Sequence, residues 1–175
     1  FEEALINHKT KLEEEKARIN LLLNTINKTL RHTQGEITMN NDEKFEGLKD
    51  KLIEKNDAQY GTELLEKYGQ ETVNASYQKM RKMSKWDFNE AKRIEKKILD
   101  LLSIAIKEKT QDYAQEIAAL HQQWIKMYWT EYSPQAHIGL VKMYLEDVRF
   151  KTYYDRAGIG ATEYLVTAVI HYLIK

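Results

Sequence analysis

Apolar side chains recur every seventh residue along the first thirty positions of the chain. Charged residues such as Glu13 and Lys16 occupy the other faces, and this heptad pattern is typical of a coiled coil. Polar His8 and Glu15 fall at intervening seam positions and weaken the pattern. We expect a helix of about 30 residues that pairs with a second copy; the alternative is an amphipathic helix packed on its own domain. The predicted dimerisation residues are Leu5, Leu12, Ile19, Leu22 and Ile26.

A polar joint follows this arm, and Gly35 is placed to end the helix. The pattern predicts three parts: a coiled-coil dimerisation helix over residues 1–34, a linker over 35–41 and a ligand-binding domain over 42–175. The third part shows apolar spacing of three and four residues, which predicts helices throughout. We expect helices after Asn40 or Asn41, short ones ending at Gly69 and around Tyr77, and further ones starting at Ser84, Asp112, Ser133 and beyond Gly160. The predicted fold class is all-α.

Four of the seven glycines lie between residues 35 and 69. An interior glycine costs a helix about 1 kcal/mol relative to alanine. Residues 36–83 are therefore expected to be the least self-sufficient part of the domain.

Composition narrows the function classes. Among 175 residues, 27 basic and 27 acidic side chains cancel, which argues against nucleic-acid binding by this chain and against a polybasic membrane surface. The absence of cysteine excludes a thiol nucleophile and a disulfide framework, and it fits a cytoplasmic location. The basic residues between Lys79 and Lys97 alternate with acids, so a solvated helix face is favoured over a phosphate-binding patch. The chain begins inside a helical pattern without Met, so we expect a fragment of a longer protein.

Eleven of the eighteen aromatic residues lie in residues 113–175, and tyrosine dominates. Buried tyrosine hydroxyls need partners, so such a set suits either a tyrosine-rich core or a cleft that binds flat, multi-ring or cationic molecules. The residues alone leave both open. The candidate ligand-binding residues are Tyr68, Trp86, Trp124, Tyr128, Tyr132, Tyr144 and Tyr153.

Catalytic and metal-binding motifs are not found, so we expect no enzyme activity, no cofactor and no metal. His121 lies on the aromatic face of its predicted helix and is interpreted as a core histidine rather than a metal or haem ligand. A haem-binding globin-like protein is one alternative hypothesis.

From Asp42 onward the chain resembles the TipA-S effector-binding domain of MerR-type transcription activators, the thiostrepton-induced group. The most specific match is the stretch from Met143 to Phe150, close to the family pattern MYxxDxRF. The others are Asp42-Glu43-Lys44-Phe45 with Gly47, Tyr68-Gly69, Tyr77-Gln78-Lys79, Trp86, His121-Gln122-Gln123-Trp124 and Tyr154-Asp155. The heptad arm is similar to the dimerisation helix of MerR-type activators, and the whole is especially similar to members that activate multidrug transporters.

This resemblance implies a globin-like helical fold without haem and a cleft for hydrophobic, often peptide-derived or polycyclic, antibiotics. It further implies early helices that close over the ligand, an antiparallel homodimer, and contacts with promoter DNA and RNA polymerase made only by the full-length protein. Thiostrepton-responsive relatives carry drug-capturing cysteines where this chain has Tyr132 and Gly139, so reversible binding is expected. The competing hypothesis is a helical protein–protein interaction module without a small-molecule site.

Overall fold

A computed structural model describes residues 2–35 and 41–174 of the chain. In these ranges the secondary structure consists of helices and the turns between them, which confirms the predicted all-α class. The chain divides into two compact units, Phe1–Lys67 and Tyr68–Lys175.

Helix α1 spans Glu2–Thr33 and carries the heptad pattern. Gly35 follows it with φ of 77°, the left-handed conformation expected of a helix terminator. The predicted dimerisation side chains Leu5, Leu12, Ile19 and Ile26 are each about half exposed, whereas the side chain of Leu22 lies outside the described part of the structure. Most of the predicted linker, residues 36–40, also lies outside it.

Helix α2 spans Asn41–Arg81 and is interrupted at Gly69, whose φ of 77° and ψ of 159° are not helical. The expected break at Gly69 is confirmed, but the helix that ends there is not the short one expected, because the chain stays helical from Asn41 through Gly61. Within the first unit, Lys28 on α1 pairs with Glu43 on α2 at 3.0 Å.

The second unit also contains five further helices joined by short turns. They are α3 (Lys85–Glu108), α4 (Ala114–Tyr128), α5 (Pro134–Glu146), α6 (Val148–Asp155) and α7 (Ala161–Ile174). Ser84 caps α3 by accepting a hydrogen bond from the Asp87 backbone N–H at 3.1 Å, and Ser133 caps α5 in the same way. Both caps were predicted from the sequence.

Helix α7 lies at the centre of this unit and packs against α3, α4, α5 and α6. Its Leu165 and Val169 are fully buried beside Leu102 of α3 and Ile117 of α4. The turn before α7 needs glycine, because Gly158 has φ of 148° and a Cβ there would lie 2.9 Å from Ile106 Cγ2. Packing around α7 leaves side chains of α3, α4 and α6 lining a common crevice.

Candidate functional site

A narrow crevice lies where side chains of α3, α4 and α6 meet. Its lining residues are Glu95, Ile98, Leu99, Trp124, Tyr153 and Tyr154. The cavity measures about 10 Å³, roughly the space that one water molecule needs. A drug-sized ligand needs several hundred Å³, so entry requires the lining side chains to move apart.

Glu95 is the charged group of the crevice. The Tyr153 hydroxyl donates a hydrogen bond to its carboxylate, and the Lys92 ammonium pairs with it at 2.9 Å. Partial burial opposes ionisation, but these two donors outweigh it and hold the pKa of Glu95 below its usual range. Arg156 adds positive charge nearby, with its guanidinium 4.0 Å from the centre of the Tyr153 ring. The carboxylate is therefore ionised and already neutralised by the protein.

Trp124 forms the aromatic wall contributed by α4. The Tyr128 ring stands edge-on to it with 5.2 Å between ring centres. Burial, with the nearby Glu95 charge, raises the pKa of Tyr128 to about 12, so this phenol stays neutral. Trp124 Nε1 is buried and has no hydrogen-bond partner among the described residues.

A fully buried pair of histidines lies behind the crevice. His121 Nδ1 and His137 Nε2 are 2.7 Å apart, and the two rings stack with 4.9 Å between centres. His121 Nε2 lies 3.3 Å from the Tyr154 hydroxyl, and His137 Nδ1 lies 3.0 Å from the Tyr132 hydroxyl. Gln122 Nε2 donates to that Tyr132 hydroxyl at 2.9 Å. A continuous hydrogen-bond chain thus links α4, α5 and α6 and ends at Tyr154 in the crevice wall.

Both histidines are neutral in the folded protein. Desolvation, with a smaller contribution from His137, lowers the pKa of His121 to about 3. Desolvation, with a smaller contribution from Lys126, lowers the pKa of His137 to about 4. A neutral imidazole has one donor and one acceptor nitrogen, so each ring can serve one neighbour in each role. The interpretation of His121 as a core histidine is confirmed.

The predicted ligand residues lie in three kinds of surroundings. Trp124 and Tyr153 line the crevice, and Tyr128 contacts Trp124. Tyr144 is only 2% exposed and stacks on Phe150 at 4.9 Å, deep in the core.

The remaining three candidates lie outside the crevice wall. Tyr132 bonds the buried histidines, and Lys126 lies over its ring at 4.6 Å. Tyr68 is partly exposed and acts electrostatically on Tyr144. Trp86 is 73% exposed in the first turn of α3.

Sequence reasoning missed Glu95, Tyr154 and His137 as members of this region. Glu95 was assigned with its neighbours to a solvated face, and that holds for the exposed Lys92, Arg93 and Lys96. For Glu95 it was wrong, because Tyr153 from α6 covers it. The available signal was its position one residue after the buried Ile94 on the apolar stripe of α3.

A wider surface depression of about 400 Å³ lies on α7, lined by Thr167, Ile170, His171 and Ile174. One helix provides all of these side chains, so the depression does not enclose a ligand. No cluster of three or more metal-ligating side chains occurs within residues 2–35 and 41–174. Among the described helices none is both long and apolar enough to cross a bilayer.

Clefts between packed helices are one of the places where proteins bind small molecules. Residues 60–172 match the family of the TipAS antibiotic-recognition domain. The chain belongs to this family, which confirms the resemblance found in the sequence.

One curated relative is the HTH-type transcriptional activator mta of Bacillus subtilis (strain 168). It is 26% identical over 170 residues, which cover 97% of this chain and 66% of the relative. The chain thus spans just under two thirds of that protein's length. No solved structure matches the chain significantly.

Proposed function

We propose that this chain is the effector-binding and dimerisation part of a MerR-type transcriptional activator. Residues 42–175 reversibly bind hydrophobic antibiotics, and residues 1–34 pair with a second copy through the α1 stripe. The full-length protein, which carries the DNA-reading segment, switches on multidrug-transporter genes in the cytoplasm. The match to the antibiotic-recognition family carries the proposal, and the similarity to a transcriptional activator supports the regulatory part.

The crevice is the proposed entry point for the ligand. Trp124 and Tyr153 line it and Tyr128 contacts Trp124, and aromatic surface of this kind binds flat molecules by area burial and stacking. Widening the crevice costs packing between α3 and α6. Only a ligand that buries comparable apolar area can offset that cost. This requirement selects hydrophobic molecules over polar ones.

Regulation follows from unequal affinity of the ligand for two states. A ligand shifts an equilibrium only by as much as it prefers one conformation. We propose that the ligand-bound state changes the spacing of the DNA-reading segments of the dimer. In the full-length protein, ligand affinity and DNA affinity are then coupled, and each changes the other by the same factor.

Antibiotic binding is tested with the 175-residue chain and a panel of hydrophobic peptide and polycyclic antibiotics. At least one class should raise the melting temperature, since a ligand that binds the native state stabilises it by about 2.7 kcal/mol at one hundred times its dissociation constant. A Tyr153→Ala variant should lose most of this increase, whereas the exposed-site variant Trp86→Ala should keep it. An unchanged melting temperature with every class would contradict the proposal.

A helical interaction module without a small-molecule site remains the second candidate. The observation that favours it is the cavity of only about 10 Å³. The antibiotic panel separates the two, because a closed core would respond to no class.

A further inference from the structure

Two buried polar side-chain atoms lack a hydrogen-bond partner among the described residues. They are Trp124 Nε1 and Tyr164 Oη. Leaving a buried donor unsatisfied costs about 1–3 kcal/mol, so each such group requires an explanation. Only Trp124 lines the crevice. The side chain that carries the unsatisfied indole N–H is therefore part of the crevice wall.

The other polar groups of the crevice are already satisfied. The Glu95 carboxylate accepts from Tyr153 and Lys92, and the Tyr154 hydroxyl lies within hydrogen-bond distance of His121. Ile98 and Leu99 complete an apolar wall. A cationic ligand would find no unpaired negative charge here and would have to displace Lys92 while facing Arg156. A hydrogen-bond acceptor, by contrast, would find a free donor.

We propose that the crevice recognises a flat, uncharged ring system carrying a carbonyl or amide oxygen, which accepts a hydrogen bond from Trp124 Nε1. This inference rests on the proposed antibiotic binding and specifies its ligand chemistry. Ring burial between Trp124 and Tyr153 supplies affinity, and the indole N–H selects for the acceptor. A buried donor that is satisfied only in the complex discriminates against ligands lacking the acceptor.

Three bicyclic probes of similar size separate the possibilities. 1-Indanone carries a carbonyl, indane has the same ring frame without it, and N-methylquinolinium is a flat cation. Each is titrated into the 15N-labelled 175-residue chain. Three indole N–H signals are expected, from Trp86, Trp124 and Trp129, and the Trp124 signal is the one lost in Trp124→Phe.

We expect 1-indanone to bind on the order of five- to tenfold more tightly than indane, the usual effect of one net hydrogen bond. It should also move the Trp124 indole proton downfield, while N-methylquinolinium binds most weakly. In Trp124→Phe the affinity ratio of 1-indanone to indane should fall to about one. The ratio of the two affinities is compared because a change in cavity size alters the binding of both probes and cancels in the ratio. Tyr164→Phe, which removes the other unpartnered atom, should leave the ratio unchanged.

Equal affinities of 1-indanone and indane in the unsubstituted chain would overturn the inference. So would a preserved ratio in Trp124→Phe, preferred binding of the cation, or no binding of any probe. None of these results bears on the antibiotic panel, whose response tests the proposed function separately.

Discussion

The buried histidine pair shows how single residues connect the crevice to the core. His121 bonds both His137 and Tyr154, so one imidazole joins the wall of the crevice to α5. Each ring is fully buried and neutral, and every ring nitrogen lies within hydrogen-bond distance of a partner. Satisfied buried networks of this kind fix side-chain orientation. Tyr154 is thereby held in one position, whereas the Tyr153 hydroxyl beside it bonds the half-buried Glu95.

The histidine pair predicts a pH dependence of stability. In the unfolded chain both rings take up protons as the pH falls through about 6.5, but in the folded chain their pKa values are lowered to about 3 and about 4. Between about pH 6.5 and about pH 3 the unfolded state therefore binds more protons than the folded state. The free energy of unfolding falls as the pH decreases through this interval. Each histidine contributes at most about 1.4 kcal/mol per pH unit.

Urea unfolding between about pH 7 and about pH 5.5 measures this slope above the range where carboxylates titrate. A His137→Gln variant should show a clearly smaller slope, because one titrating group is gone. His171→Gln, at an exposed position, should keep the slope of the unsubstituted chain. A slope of the same size in His137→Gln would show that the pair does not cause it.

At the scale of helices, α1 is defined by its exposed apolar stripe. Leu5, Leu12, Ile19 and Ile26 are each between 46% and 56% exposed. A long helix with such a stripe is stabilised mainly by packing against another helix. In the proposed dimer, a second copy of α1 supplies a matching stripe.

Charges placed on this stripe should therefore prevent pairing. Leu12→Lys with Ile19→Lys should shift the protein from dimer to monomer in sedimentation equilibrium, because a dimer would bury unpaired charges. The matched control is Ala17→Lys with Asn24→Lys, which adds the same charge on the opposite face of α1 and should remain dimeric. A monomeric unsubstituted chain, or a dimeric Leu12→Lys/Ile19→Lys variant, would contradict the pairing.

Most helices could be predicted from local sequence, because their signals are local. Ser84 and Ser133 mark helix starts through their caps, and Gly158 marks a turn that admits no Cβ. The continuity of α2 through Gly61 could not be predicted in this way, because a single glycine weakens a helix without ending it. Tertiary contacts decide such cases.

The site could be predicted only in part, because its geometry depends on pairs distant in sequence. Aromatic enrichment drew attention to Trp124 and Tyr153, which do line the crevice. Periodicity could not show that His137 faces His121, or that Tyr153 covers Glu95, 58 residues away. Nor could it separate Tyr144 in the core from the crevice wall, because both lie on apolar helix faces.

At the scale of the whole molecule, the two units have different proposed tasks. The unit from Tyr68 onward contains a packed helical core and the aromatic crevice, and the unit before it contains the exposed α1 stripe. In the proposed activator the first unit pairs two copies and the second binds the drug. In this proposal, regulation by drugs depends on their binding at the crevice.

Drug binding at the crevice is best tested by the fluorescence of a variant in which Trp124 is the single tryptophan. In the 175-residue chain with Trp86→Phe and Trp129→Phe, Trp124 is the single tryptophan and lines the crevice. Any antibiotic that raises the melting temperature should change Trp124 emission, with a midpoint equal to its dissociation constant from calorimetry. A stabilising antibiotic that leaves Trp124 emission unchanged at saturation would contradict binding in the crevice.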